Sequence, residues 1–130
     1  MIKDLYNRLE VERMIGPIDV ETDAGDEDAE VEVEDYRRVV IAVLAGTASN
    51  EKAEITIEGD VGDGEGFSEI DDDDLIGEFE DIEATNHENV QKVGLKKSYE
   101  KIKVTVDHIT SFTGSYTVFA CMAKKYDEPV

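Results

Sequence analysis

Tryptophan is missing from the 130 residues and cysteine occurs once. A lone Cys121 rules out an intrachain disulfide, and without tryptophan the strongest aromatic platform for stacking a sugar is gone. The two histidines, His87 and His108, lie far apart in the chain and together with one cysteine make no zinc ligand set. Basic residues are scarce: 13 Lys and Arg stand against 33 Asp and Glu, a formal net charge of -20. A surface of that sign repels phosphate backbones and anionic bilayers, so neither a nucleic-acid nor a membrane partner is expected. The longest apolar stretch, Val39 to Gly46, is far too short to cross a bilayer. Met1 to Glu10 is charged throughout and has no apolar h-region, so no targeting signal is expected either.

What is present is enough for one core. Hydrophobic residues make up 40%, and a chain of this length buries roughly two thirds of its unfolded surface. Much of the pattern has a period of two, the mark of a strand with one wet face. Valines alternate with acids in Ala29 to Asp35, and Ile102, Val104 and Val106 alternate with Lys101, Lys103 and Thr105. Ala53 to Gly59 alternates likewise, and Val90 to Leu95 and Ser115 to Ala123 are further strand candidates. Arg38 to Ala45 is β-branched and continuous, which predicts a central strand covered on both faces. Asp19 to Asp28 is dense in acid and predicts a solvated loop, and Gly46 to Lys52 and Asp60 to Gly66 have turn composition. Short strands spaced by turns predict an all-β fold, a jelly-roll-like β-sandwich over residues 17–125. A short N-terminal arm, residues 1–16, precedes it. In the arm Ile2, Leu5, Tyr6 and Leu9 recur at helical spacing as candidate partner contacts, and Gly16-Pro17 ends the pattern. Residues 126–130 are expected to form a flexible tail.

No cofactor is implied, and no catalytic residue stands out. Gly66-Phe-Ser-Glu-Ile70 lacks the second glycine of a nucleophile elbow, and neither a phosphate loop nor a dinucleotide fingerprint occurs. The chain is therefore not expected to be an enzyme. Cys121 reads as a buried thiol filling apolar space. Asp60, Asp63, Glu65 and the run Asp71 to Asp74 have the oxygen donors of a calcium loop. Glycines 62 and 64, however, occupy the third and fifth ligand places of that spacing, so solvated loops are expected and no metal site is assigned. Lys92, Lys96, Lys97, Lys101, Lys103, Lys124 and Lys125 all fall in the last third. On one shared face they would give the molecule two electrical poles.

Three stretches carry a family resemblance. Ile55 to Ile70 followed by Asp74-Leu-Ile-Gly77 is similar to a strand, Asp-Gly turn, aromatic and Leu-x-Gly pattern. Val90 to Leu95 with Tyr99 and Ile102 to Val106, and the closing Gly114 to Ala120, are similar to the strands that complete it. Over roughly residues 38–125 the chain thus resembles small structural proteins of tailed phages and prophages, in particular head decoration (cement) proteins. The resemblance implies a virion component on the capsid surface, made in the host cytoplasm. Its partner would be the major capsid protein, and it would self-associate, a trimer suiting lattice symmetry axes. The acidity and the charged N-terminal segment depart from the commoner pattern and keep a head–tail connector or tail protein as alternatives. A calcium-dependent β-sandwich adhesion or receptor-binding module is the alternative from a different class.

Overall fold

The computed structural model describes residues 9–23, 26–34, 36–83, 90–109 and 112–124. Among these residues ten strands follow one another: β1 (Leu9–Asp23), β2 (Asp26–Glu32), β3 (Tyr36–Asn50), β4 (Lys52–Asp60), β5 (Ser68–Glu69), β6 (Leu75–Ile76), β7 (Ile82–Glu83), β8 (Val90–Leu95), β9 (Lys101–His108) and β10 (Phe112–Lys124). A 3-10 turn, Asp72–Asp74, leads into β6. Sheet A has the order β1-β10-β3-β8-β6 and sheet B the order β2-β9-β4-β5, with β7 also on β4. The chain alternates between sheets in a jelly-roll order: β1, β10, β3 and β8 in one sheet, and β2, β9, β4 and a short edge strand in the other. All pairings are antiparallel.

Period-two alternation drives this packing. Ile102, Val104 and Val106 of β9 are fully buried, while Lys101, Lys103 and Thr105 turn outward. From sheet A, Ile41, Val43, Val93, Val118, Ala120 and Met122 meet them in one core cluster. Each of these side chains except the smaller Ala120 contributes about 1.5–3 kcal/mol on leaving water.

Four expectations change. First, β3 is central within its sheet but is not covered on both faces. Val39, Ile41 and Val43 are buried, whereas Leu44 is 40% exposed and Val40 and Ala42 are half-buried. The continuous apolar run resembles a strand of a three-layer fold, but no third layer lies over sheet A among the described residues. Second, Asp19 to Asp28 is mostly strand, because Val20 is buried opposite Gly114, β1 extends to Asp23 in sheet A, and β2 begins at Asp26 in sheet B. Third, β3 runs on to Asn50 with Ala48 buried, and the chain reverses at Glu51 with φ 55. Fourth, β1 starts at Leu9, so the second half of the segment set apart as an arm lies in the sheet, and Leu9 is not on a helix. Ile2, Leu5 and Tyr6, like the tail 126–130, lie outside the described residues. Gly16-Pro17 interrupts β1 without ending it. The register slips between Arg13 and Ile15 and again across the pair, between Ile15 and Ile18, and Gly16 has φ +87 with Tyr116 O 2.8 Å from where a Cβ would sit. Proline fits because β1 is an edge strand and owes no N–H on its open side.

Candidate protein-docking face

The strand register fixes which side chains share the outer face of sheet A. Val11, Cys121, Val40, Gly94 and Ile76 stand side by side across all five strands. Arg13, Phe119, Ala42 and Lys92 form the next row, and Thr117, Leu44 and Val90 the one after. Leu9, Ala123 and Arg38 flank the first row on its other side. At strand and residue spacing this array measures about 20 Å by 20 Å, about 400 Å² in projection. Of the exposed large hydrophobic residues, Leu9, Val11, Leu44, Ile76 and Val90 all belong to it, Val90 being 72% exposed. An array on this scale, apolar apart from Arg13, Arg38, Lys92 and Thr117, matches the largest patches on monomeric proteins, which are often functional.

Charge sharpens the contrast. Arg13, Arg38 and Lys92 lie within these four rows and no carboxylate does, in a chain with 33 acidic residues; Asp19, opposite Ser115, is the acid just beyond them on the same face. The outer face of sheet B is the reverse. Asp26, Asp28, Glu30 and Glu32 of β2 and Glu54, Glu58 and Asp60 of β4 flank Lys101, Lys103, Thr105 and Asp107 of β9. Lys103 reaches Asp28 at 3.9 Å and also lies 5.9 Å from the Phe67 ring centre. The sandwich therefore has one acidic, wet side and one apolar side edged with cations.

The lysines of the last third do not share a face, because β8 places Lys92 on sheet A while β9 places Lys101 and Lys103 on sheet B. Cys121 is not a core thiol. Ala120 and Met122 take the inward positions of β10, which leaves Cys121 half-exposed on the apolar face between Val11 and Val40. His108 ends β9 and points inward, 3% exposed, stacked on Phe112 and 2.6 Å from the Tyr116 hydroxyl through Nε2. His87 lies outside the described residues.

The acidic loops are built as turns. Asp60 Oδ1 accepts the Gly62 N–H at 2.8 Å, and Asp63 Oδ1 accepts the Glu65 N–H at 3.0 Å. Among the described residues no group of three His, Cys, Asp or Glu side chains converges closely enough to hold a metal ion. The donor geometry thus gives the calcium alternative no support. No helix among the described residues is long and apolar enough to cross a membrane. The sequence does not single out this candidate face, although its signal is present. β3 and β10 are both largely apolar at both parities; for β3 the sequence predicts burial on two sides, and for β10 only a strand.

No protein-family model matches the chain, and no curated protein matches it. Among solved structures it is similar to a protein from Sulfurospirillum deleyianum, with a TM-score of 0.42 and 10% identity over 91% of this chain and 98% of that one.

Proposed function

We propose that this chain is a capsid decoration protein of a tailed phage, docking on the assembled shell through the outer face of sheet A. The observation behind this reading is the concentration of exposed apolar side chains on one acid-poor sheet face of a strongly acidic molecule. The resemblance of residues 38–125 to phage head proteins supplies the identity of the surface; the fold alone would not. Phe119 and Leu44 are the apolar anchors, and Arg13, Arg38 and Lys92 are the edge charges. The matching surface on the major capsid protein is apolar and edged with carboxylates. Of the arm contacts expected from sequence, Leu9 opens β1 on this face. The acidic outer face of sheet B then looks away from the shell and keeps the particle soluble. Binding the lattice but not the free subunit stabilises the shell by mass action.

Leu44→Glu tests the assignment, since Leu44 is on the surface and its replacement leaves the core intact. The wild-type chain should co-sediment with assembled heads and not with free capsid subunits, and Leu44→Glu should lose occupancy while keeping its β-sheet circular dichroism. Equal occupancy of the variant would remove the face from the reading. Absence of the chain from heads, with labelled protein found on tails, would remove the decoration role.

A further inference from the structure

A cavity of about 420 Å³ opens at one end of sheet B, away from the docking face. The end of β4, the loop after it, the Asp71–Asp74 turn and the segment between β8 and β9 enclose it. Five carboxylates line it, those of Asp63, Glu65, Glu69, Asp71 and Asp74, against one ammonium, Lys97. Lys97 is committed to Asp74 at 3.6 Å, and Glu65, Glu69 and Asp71 form no ion pair with any described residue. Carboxylates alone would mean only a wet loop. Tyr99 adds an independent observation. It is 9% exposed, its ring lies over Gly59, and its hydroxyl makes no hydrogen bond with a described residue. Tyr99 lines the cavity, and two of the carboxylates that line it, Asp74 and Asp71, act electrostatically on its phenol.

We propose that this cavity binds an organic cation with several N–H donors, an alkylammonium or guanidinium group. Its carboxylates surround the space without converging as a metal shell requires, and the volume suits an extended group. Such a cation donates to Asp71 and Glu69 while the Tyr99 oxygen accepts a further N–H. Burial, then the charges of Asp74 and Asp71, hold the Tyr99 phenol above its ordinary 10.0, so it remains a neutral hydrogen-bonding group beside the ligand.

Amide NMR titrations of the intact chain test this with three probes at matched ionic strength: agmatine, a blocked Gly-Arg-Gly peptide and tetramethylammonium. Agmatine or the peptide should shift the amides of Gly59, Asp71 and Tyr99 saturably, and tetramethylammonium, which has no N–H, should not. Asp71→Asn should weaken binding about tenfold and Tyr99→Phe about threefold, consistent with the loss of a charged and a neutral hydrogen bond. Binding of agmatine alone identifies a free small cation, and tighter binding of the peptide identifies a side chain presented by a protein. Equal shifts with tetramethylammonium, no saturable shift with either donor, or unchanged affinity in both variants would overturn the proposal.

Discussion

The contact between His108 and Tyr116 gives the sharpest test of the core. Both residues are almost completely buried, at 3% and 2% exposure, and 2.6 Å separates Nε2 from the hydroxyl. Nδ1 has no partner among the described residues, so this bond is the one polar contact the imidazole makes with them. Tyr116→Phe keeps the ring and removes one oxygen, stranding both imidazole nitrogens in an apolar core. A buried polar group left unpaired costs about 1–3 kcal/mol, which at about 3–5 °C per kcal/mol for a domain of this length lowers Tm by about 3–15 °C. Tyr116 takes part in a further interaction, so the single variant mixes two losses, and a double-mutant cycle with His108→Phe separates them. His108→Phe preserves the stack on Phe112, where the ring centres lie 5.4 Å apart. The double variant replaces both partners with apolar rings and should unfold close to wild type. Urea unfolding of the four proteins should give a coupling of about 1–2 kcal/mol. A coupling within about 0.5 kcal/mol of zero would refute the argument that this bond offsets the burial of the histidine.

Two further outcomes concern Tyr99. A Cβ at Gly59 would stand 2.5 Å from Tyr99 Cδ1 and Cε1, so Gly59→Ala should destabilise by about 1–3 kcal/mol through overpacking, and Tyr99→Leu in the same chain should recover part of that in urea unfolding. In a spectrophotometric titration Tyr99 should ionise after an ordinary tyrosine, above 10.0. Because its folded pKa is raised, the associated stability is complete below 10.0 and is lost as pH rises through the folded value. Asp74→Asn should shift that step back towards 10.0, and a step that does not move would show that the carboxylate is not a cause.

The fold was legible where one side chain in two had to leave water. β9 is the clear case, since Ile102, Val104 and Val106 could satisfy only one face. Strand lengths were less legible. Asp19 to Asp28 looks like a loop because its acids outnumber its apolar residues, yet a strand needs only one buried face, and Val20 on β1 supplies the anchor on that side. Gly16-Pro17 reads as a stop and is a bulge, because an edge strand tolerates a missing donor and a left-handed glycine. The candidate face was hidden for a different reason. Composition cannot tell an apolar residue facing a second layer from one left on the surface, and β3 contains both kinds in alternation. The cavity at Tyr99 was also invisible, since the β4 end, the Asp71–Asp74 turn and the segment after β8 are brought together only by the crossing of the two sheets.

The distribution of charge connects the fold to the proposed role. An apolar patch of about 400 Å² on a neutral protein would invite pairing between copies, and β1 at the edge of sheet A would add unpaired backbone to the hazard. Here every copy has a formal charge of -20, and the outer face of sheet B and the turns hold much of the acid. Long-range repulsion between copies therefore opposes the collision that the patch would reward. A partner edged with carboxylates would meet the same long-range repulsion, but on contact Arg13, Arg38 and Lys92 turn part of it into attraction. A second copy docked face to face would bring those cations against their own kind. The same three residues thus favour a different protein over self-pairing through this face, and they do so without any specific hydrogen bond.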